Sequence, residues 1–288
     1  MKRSYFLYLL SLIFGFAVVI GAYVNRYVLS KSGLSLFAKR PFISVLVTSY
    51  NYEKYIRQTL DSILAQRYKN YEVIIVDDGS TDNSVNVIKE YVNKYKNFHL
   101  YQHEGGINKG LPASFKLGVE KAKGGYISVL ESDDYWTPNN LLIKVKMINK
   151  HPDAVIISNN VIPFGDDFTE VSFAKPYVTY INHTLNEKND ILFSEALFNH
   201  IPTFSAVTIK SSILKKLDFN TPIPAFLDLY LYQQIFAKYP LYYISQSLTY
   251  WRRHAISYNA TLNQANNYAK TKDFIIKIKE VLAKQKDI

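Results

Sequence analysis

The sequence predicts an α/β domain with a mostly parallel sheet flanked by helices, preceded by one N-terminal transmembrane helix. From residue 42 onward, short apolar runs of strand length alternate with amphipathic segments of helical period. Such alternation is typical of a mostly parallel sheet covered by helices on both faces. Before this region, the 20 residues from Tyr5 to Val24 carry no charge. At about 1.5 Å per residue they would span roughly 30 Å, the thickness of a bilayer core.

The alternating region contains nine predicted elements. Five apolar runs are predicted to be strands: Ile43–Val47, Val73–Val76, Phe98–Tyr101, Ile127–Leu130 and Ala154–Ile157. Four segments with apolar residues at helical spacing are predicted to be helices: Tyr55–Gln66, Ser84–Tyr95, Pro112–Ala122 and Pro138–Asn149. No internal repeat or low-complexity stretch interrupts the pattern.

Composition narrows the classes of function. The 288 residues contain no cysteine, which excludes disulfides, thiolate metal sites and cysteine nucleophiles. The formal net charge of +10 favours anionic partners such as phosphorylated substrates or anionic lipid. Because the basic residues are spread out, with no block of five or more, no nucleic-acid partner is expected.

The N-terminal uncharged run favours a retained membrane anchor, residues 1–24. The residues that follow it, Asn25, Arg26 and Tyr27, do not suit signal-peptide cleavage. Four basic residues follow the run and two precede it, so the larger C-terminal part is expected to be cytoplasmic. Residues 25–41 then form a basic juxtamembrane linker that can contact anionic headgroups. A buried core helix is the alternative interpretation of the run.

Three polar clusters follow three of the predicted strands. They are Thr48–Asn51, Asp77–Ser80 and Glu131–Asp134. Ligands of open parallel sheets bind outside the carboxyl ends of the strands, so the clusters are expected to converge on one cleft. Any single cluster has an alternative interpretation as a turn or helix cap, because Asp, Ser and Gly favour those positions.

The acidic cluster Glu131–Asp134 has the chemistry of a cation site. If the stretch is extended, Glu131 and Asp133 point to the same side, since alternate residues share a face. Two carboxylates so placed can hold Mg²⁺ or Mn²⁺, which complete their shell with substrate phosphates. The alternative is a solvated acidic turn.

Three further segments carry weaker signals. Gly105–Gly110 is a glycine-rich turn that matches neither the P-loop nor the dinucleotide fingerprint. Asp228 lies in an apolar, aromatic stretch that would raise the pKa of a general base, although a helix cap is equally compatible. The segment Trp251–His254 offers guanidinium groups for phosphate and an imidazole for metal or phosphate.

Taken together, these segments resemble the family-two inverting glycosyltransferases, which have a GT-A fold. PFISVLVTSYNYEKYIRQTLDSILAQRYKNYEVIIVDDGSTDNS is similar to the family's nucleotide-binding opening. NKGLPASFKLGVEKAKGGYISVLESDDYWTP is similar to its central segment, which ends in a DxD-type metal motif. LDLYLYQQI and YWRRH resemble its later acidic and arginine–histidine motifs. The resemblance implies a GT-A domain over residues 42–254, with a nucleotide-sugar half (42–157), an acceptor half (158–254) and a C-terminal helical tail (255–288).

The resemblance also implies roles for individual residues. The nucleotide-sugar would be bound by Thr48, Tyr50, Asp78, Glu131 and Ser132. Asp133 would be the chief ligand of a divalent cation, Mn²⁺ or Mg²⁺, with Asp134 nearby and His254 reaching the metal or the diphosphate. Asp228 would be the catalytic base. Glu131 stands where the family often has aspartate.

The implied reaction moves a sugar from a nucleotide-diphosphate sugar to a hydroxyl on a glycan or lipid-linked glycan, with inversion. A carboxylate at Asp78 accepts hydrogen bonds, so a base with a ring N–H is favoured, UDP first and dTDP or GDP next. Two rival functions remain open. A nucleotide-sugar pyrophosphorylase would need a glycine-rich, lysine-bearing loop in place of Thr48–Asn51, and a non-catalytic membrane-anchored assembly protein would not need Asp78, Asp133 and Asp228.

Overall fold

The computed structural model describes residues 39–165, 201–221 and 223–254. The predicted anchor, most of the linker, part of the acceptor half and the C-terminal tail lie outside these residues. No helix in the described part is long and apolar enough to cross a membrane. The chain divides into two compact units, Met1–Arg40 and Pro41–Ile288, and the fold below is that of the second.

One mixed sheet of eight strands organises the described residues. The strands are β1 (Ile43–Ser49), β2 (Tyr71–Asp77), β3 (Phe98–Gln102), β4 (Tyr126–Val129), β5 (Tyr135–Trp136), β6 (Ile156–Phe164), β7 (Val207–Lys210) and β8 (Leu241–Arg252). Their order across the sheet is β3-β2-β1-β4-β7-β6-β8-β5. Strand β7 is antiparallel to β4 and β6, and β5 is antiparallel to β8, while the remaining pairs are parallel.

Six helices accompany the sheet in this part of the chain. They are α1 (Ile56–Leu64), α2 (Ser84–Lys94), α3 (Leu111–Lys121), α4 (Asn140–Lys150), the single turn α5 (Ser211–Leu214) and α6 (Leu227–Phe236). Short 3-10 turns lie at Glu104–Gly106, Phe204–Ala206 and Pro224–Phe226.

The predicted α/β architecture is confirmed. Each of the five predicted strands and four predicted helices begins within two residues of its predicted first residue. Strands β5, β7 and β8 and helix α6 were not predicted. Nine of the ten α6 residues are buried, so this helix lacks the one-sided apolar pattern by which amphipathic helices are found.

The core between the sheet and helices α3 and α6 is tightly packed. A Cβ at Gly118 would lie 2.2 Å from Leu46 Cδ1, so the glycine lets α3 approach β1 closely. On the same helix, Phe115 stacks on Phe204 with ring centroids 4.6 Å apart. Both rings belong to one cluster of buried apolar residues.

The sheet brings the three polar clusters to one edge. Ser49 and Asp77 are register partners at the ends of β1 and β2, and the N–H of Asp78 donates to Ser49 O. On the other side of β1, the N–H of Leu130 donates to Leu46 O. The segments that follow β1, β2 and β4 therefore leave the sheet side by side.

Candidate active site

Asp133 and His254 form the closest contact among the predicted site residues. Asp133 lies in the turn after β4, and His254 follows the end of β8. His254 Nε2 is 3.0 Å from Asp133 Oδ2. Both side chains are largely buried: that of His254 is 5% exposed and that of Asp133 is 14% exposed. A carboxylate and an imidazole from distant parts of the chain thus meet at the carboxyl edge of the sheet.

A threonine hydroxyl joins the other two acidic residues of the cluster. Thr203 Oγ1 lies 2.8 Å from Glu131 Oε2 and 3.1 Å from Asp134 Oδ2. A hydroxyl has one proton to donate, so one of the two carboxyls must carry a proton for both contacts to be hydrogen bonds. Asp134 Oδ1 also accepts the backbone N–H of Arg252 at 2.7 Å.

The environment favours the protonated form of both bridged carboxyls. Burial, followed by the charge of Asp133, raises the pKa of Glu131 to about 8. Burial and the same neighbour raise the pKa of Asp134 well above its usual range. Desolvation and a neighbouring like charge both disfavour ionisation, which explains why the pKa of each carboxyl is raised.

The Glu131–Asp134 segment is a turn, closed by the N–H of Asp134 donating to Glu131 O at 3.1 Å. The condition under which Glu131 and Asp133 would share a face, an extended stretch, is therefore not met, and the segment is the turn that was the alternative. Thr59 Oγ1, from α1, holds the turn from outside by contacting Ser132 O and Asp134 O at 2.9 and 2.7 Å. Ser132 itself is buried. The turn separates the acids, with Glu131 toward Thr203 and Asp133 toward His254.

Arg252 is the last residue of β8, and its side chain connects the Glu131–Asp134 turn to α1. Its Nε donates to Asp133 O at 2.8 Å, and its NH2 group donates to Gln58 Oε1. The guanidinium carbon lies 4.5 Å from the ring centroids of both Tyr55 and Phe164. In the structure the Arg252 guanidinium contacts the acidic turn and α1, and the expectation that the Trp251–His254 segment offers guanidinium groups to phosphate stays a prediction. Arg253 stacks on the Trp251 ring at 4.7 Å.

Two tyrosines of the β1–α1 segment border the His254 imidazole. The Tyr55 ring centroid lies 5.0 Å from that of His254, and the Tyr52 ring meets it edge-on at 5.9 Å. Burial and the charge of Asp133 raise the pKa of Tyr52 far above its usual range. Its phenol therefore remains a neutral hydrogen-bond donor beside the acidic cluster.

Asp228 occupies the first turn of α6 and is half-buried. Its Oδ1 accepts the N–H of Leu229 at 2.7 Å. The charge of Asp228 contributes, as the smallest cause, to the raised pKa of Glu131, so the two carboxyl groups lie near each other. An acidic side chain in the first helical turn is also favoured by the helix dipole.

Asp78 follows the end of β2 and organises the Gly105–Gly110 loop. Its Oδ1 accepts from Lys109 N and from Ser114 Oγ, both at 2.8 Å, and its Oδ2 accepts from Gly110 N at 2.9 Å. These contacts fix the loop at the N-terminus of α3. The weak glycine-rich signal therefore corresponds to a structured loop that Asp78 holds against β2.

Gly79 completes the attachment of this loop. Its φ is +79°, and a Cβ there would lie 2.7 Å from Gly106 O and 2.8 Å from Asn108 N. Both the positive φ and the close backbone approach require glycine.

Asn51 ties the segment after β1 to the segment after β2. It adopts a positive φ of 57°, and its Oδ1 accepts the N–H of Thr81 at 2.8 Å. Thr48 lies next to the end of β1, and Tyr50 is 45% exposed just beyond it. The structure thus places Thr48, Tyr50 and Asp78 at the ends of β1 and β2, with Asp133 on the segment that follows β4 and His254 after the end of β8.

Comparison with known proteins agrees with this architecture. Residues 44–212 match the sequence profile described as glycosyl transferase family 2. The chain belongs to this family. An uncharacterized glycosyltransferase of Rickettsia prowazekii is 29% identical over 231 residues, which cover 79% of this chain and 69% of that protein. The uncharacterized protein Rv1520 of Mycobacterium tuberculosis is 31% identical over 217 residues, 74% of this chain and 59% of that protein.

Solved structures share the GT-A-like fold of this family-two member. S. aureus TarS 1–349 superposes with a TM-score of 0.57 at 22% identity, over 73% of this chain and 60% of that one. The mannosyltransferase PcManGT of Pyrobaculum calidifontis, in complex with GDP-Man and Mn²⁺, superposes with a TM-score of 0.56 at 17% identity, over 77% and 60%. The chain therefore spans about 60% of the length of these proteins.

The residues of this family-two chain fit a divalent cation at Asp133 and His254. No group of three or more His, Asp or Glu side chains is arranged as a complete metal site within the described ranges. An open site of this kind suits Mg²⁺ or Mn²⁺, which keep water and phosphate ligands besides one or two protein groups. Asp133 lies close enough to Glu131 and Asp134 for its charge to raise the pKa of both carboxyls, so a cation bound at Asp133 would be next to two further oxygen-bearing side chains.

Sequence reasoning missed the residues that position the site. Thr203 and Ser205 come from the segment before β7, where no motif points to function. The hydroxyl of Ser205 accepts the N–H of Glu131 at 2.9 Å, and its carbonyl accepts Trp136 Nε1 at 2.8 Å. An isolated Thr-Phe-Ser tripeptide gives no local signal, because its role depends on the reversed strand that brings it to β4.

Proposed function

We propose that this chain transfers a sugar from a nucleotide-diphosphate sugar, UDP-sugar preferred, to a hydroxyl on a glycan or lipid-linked glycan, with inversion and divalent-cation assistance. The single observation that carries the proposal is the meeting of Asp133 with His254 at the carboxyl edge, beside Glu131, Asp134 and Asp228. Support for the donor class comes from TarS, solved with UDP and with UDP-GlcNAc, and from PcManGT with GDP-Man and Mn²⁺.

The donor nucleotide is assigned to the rim formed by Thr48, Tyr50 and Asp78. The Asp78 carboxylate offers about four acceptor positions, three of which are used by the loop and Ser114. One acceptor position on Oδ2 remains for the ring N–H of uracil. Cytosine has no such N–H, which favours UDP over a CMP donor.

Asp133 and His254 are assigned as the protein ligands of the cation, with Glu131 and Ser132 beside the donor. A bound cation supplies neutralisation of the charge that builds up on the leaving diphosphate. Asp228 accepts the proton of the acceptor hydroxyl while the hydroxyl oxygen bonds to the anomeric carbon. The bond from that carbon to the diphosphate breaks on the opposite face, and the diphosphate leaves with both electrons.

The test is a panel of UDP-, dTDP-, GDP- and CMP-sugars incubated with the purified chain in Mn²⁺, Mg²⁺ or EDTA. Release of nucleoside diphosphate from a UDP-sugar, dependent on metal and accelerated by an acceptor, is the expected result. Binding of nucleotide without turnover across the panel would instead identify a non-catalytic protein on the same scaffold.

We further propose that residues 1–24 anchor the chain in a membrane with the catalytic domain in the cytoplasm. The support is the uncharged run and the excess of basic residues that follows it. Full-length protein is expected to stay with membranes after a high-salt wash. Recovery of the full-length chain in the soluble fraction would rule the anchor out.

A further inference from the structure

Lysines border the edge of the sheet that lies opposite the candidate active site. We define the amino edge as the side on which β1, β2, β3, β4, β6 and β8 begin and β7 ends. The lysines in the segments at this edge are Lys69, Lys94, Lys96, Lys121, Lys123, Lys150, Lys210, Lys215, Lys216 and Lys238. Lys210 is partly exposed, and the other nine are exposed.

Strand pairing places these lysines along one continuous border. From β3 to β8 the sheet has seven adjacent strands, which at about 4.8 Å per strand gives a width of roughly 30 Å. Hydrogen bonds and strand pairing show that neighbouring segments meet there. The N–H of Gly125 donates to Phe42 O, Lys210 pairs with Tyr126, and Lys215 Nζ donates to Ala122 O.

Few carboxylates offset this charge among the described residues. Glu72 is 3% exposed, and its Oε1 accepts from Ser44 Oγ and Lys123 N, both at 2.7 Å, so it points into the fold. Asp153 and Asp218 accept the hydroxyls of Tyr242 and Tyr230. Glu120, next to Lys121, is exposed. In the part of the chain that the structure describes, ten ammonium groups at this edge therefore accompany three carboxylates at or near its surface.

Helix stability alone does not account for the pattern. Lysine in the last turn of a helix is favoured by the helix dipole, which explains Lys94, Lys121 and Lys150. Lys69 and Lys215 also stabilise helix ends, because their Nζ atoms donate to Leu64 O and Ala122 O at helix C-termini. The other five lysines lie in connecting segments or at the end of β7.

We propose that the amino edge is a docking face for an anionic lipid surface. A broad border of lysines, with Arg67 the one arginine among its described connecting segments between Pro41 and His254, suits a diffuse negative surface rather than the bidentate recognition of individual nucleotides. Phe42 is 38% exposed at this edge, where the chain enters the unit that begins at Pro41. The sequence before Pro41 contains the uncharged run Tyr5–Val24, so the covalent path from a predicted anchor arrives at the basic border.

Docking in this way directs the candidate active site away from the lipid. Strand β1 has seven residues, which corresponds to about 23 Å between the two edges. The acceptor hydroxyl would then be bound at least that far from the headgroups. This inference does not depend on the proposed sugar transfer, because it concerns the opposite edge.

The experiment measures the acetylation rate of each lysine by mass spectrometry in the full chain. The chain is mixed with vesicles of phosphatidylcholine alone or of phosphatidylcholine and phosphatidylglycerol at 7:3. We expect amino-edge lysines to react at least threefold more slowly with anionic vesicles than with neutral ones, and 1 M NaCl to remove the difference. Lys54 and Lys109, at the opposite edge, should react equally with both.

A pair of matched triple variants tests whether charge at the edge is responsible. Lys96→Glu/Lys123→Glu/Lys216→Glu should abolish the protection of the remaining edge lysines. Lys89→Glu/Lys116→Glu/Lys146→Glu makes the same charge change at exposed positions in the middle of α2, α3 and α4, and it should keep the protection.

Several results would overturn the proposal. They are equal rates with both vesicle types, protection spread over both sets of lysines, and protection that survives in the edge variant. Equal protection by RNA without vesicles would identify a nucleic-acid surface instead. Protection by soluble glycerophosphoglycerol would identify a discrete headgroup pocket rather than a docking face.

Discussion

His254 Nε2 lies 3.0 Å from Asp133 Oδ2, although 121 residues separate the two in the chain. The contact joins the turn after β4 to the second residue after β8. Both strands run in the same direction in the sheet, so their ends meet at one edge. The pair brings a distant histidine to the acidic turn.

The first prediction concerns this pair. Asp133→Asn should lower metal-dependent sugar transfer on the order of a hundredfold or more, because the diphosphate loses the cation that neutralises its charge. His254→Asn should weaken Mn²⁺ activation in the same direction. The measurement is nucleoside diphosphate release across a Mn²⁺ titration. The control is Asp153→Asn, which removes an exposed carboxylate at the opposite edge and should leave sugar transfer unchanged. Full activity of Asp133→Asn in EDTA would refute the assignment of Asp133 as a metal ligand.

The second prediction concerns Arg252. Arg252→Met removes the donor to Asp133 O and the contacts with Tyr55 and Phe164, so the metal-binding turn loses its support. We expect apparent Mn²⁺ affinity to fall about tenfold, the effect typical of groups that orient metal ligands. Nucleotide affinity measured without metal should hold, and Arg252→Lys should recover part of the loss.

The control for Arg252 is Arg57→Met. Arg57 forms an exposed ion pair with Glu90 at 2.8 Å, and such pairs contribute little. If Arg252→Met lowers the melting temperature and nucleotide affinity together while Mn²⁺ affinity is kept, Arg252 stabilises the fold and does not position the metal motif.

The sequence predicted the parallel half of the sheet well because its signals are local. Runs such as Val73–Val76 are buried on both faces and flanked by turn residues, so they are visible without tertiary information. Strand β8 is 12 residues long and only partly buried, and β7 has four residues. Neither shows a distinctive period, and both depend on the strands beside them.

The acidic residues of the candidate site could be predicted because they belong to recognisable motifs. The neutral side chains that hydrogen-bond to them could not, because no motif marks them. Asp78 and Asp133 stand out as carboxylates after apolar strands. Thr203, which bridges Glu131 and Asp134, resembles any other threonine in a loop. The Trp251–His254 segment was recognised for its guanidinium groups, but the contact of Arg252 with Asp133 O was not predicted, because sequence alone does not reveal which backbone carbonyl is nearby.

The third prediction concerns Lys144, a buried lysine of α4. It is 1% exposed, its Nζ has no hydrogen-bond partner, and it lies 5.1 Å from the centroid of the Trp136 ring. Burial lowers the pKa of Lys144 to about 7, from an ordinary value of 10.5. Between these two values the unfolded chain binds more protons than the folded one, so this group makes stability rise with pH from about 7 to 10.5.

Lys144→Met should remove that dependence. The variant keeps an unbranched side chain of similar length and avoids burying an unpartnered amine, so its free energy of unfolding at pH 7.5 should increase by about 1–3 kcal/mol. Denaturant unfolding at several values of pH from 7 to 9.5 measures both effects. Lys146→Met, exposed on the same helix, should leave the pH slope unchanged, and an unchanged slope in Lys144→Met would contradict the role of burial.

The last prediction concerns Asp228, on which the proposed displacement depends. An alcohol attacks the anomeric carbon well only when a base within hydrogen-bond reach accepts its proton. Asp228 is half-buried at the start of α6, and its charge acts on Glu131. Asp228→Asn keeps the shape and should lower turnover about a hundredfold or more, while donor affinity and melting temperature stay near those of the parent.

Asp218 provides the matched control for this substitution. It lies ten positions earlier, and its Oδ2 accepts the hydroxyl of Tyr230 at 2.7 Å, so its carboxylate is already used within the fold. Asp218→Asn should therefore change stability more than turnover. Transfer rate and nucleotide affinity are measured on both purified variants. If Asp228→Asn keeps its rate, or loses rate and nucleotide affinity in parallel, then the proton passes to another acid, because a base that touches only the acceptor cannot change the binding of the donor.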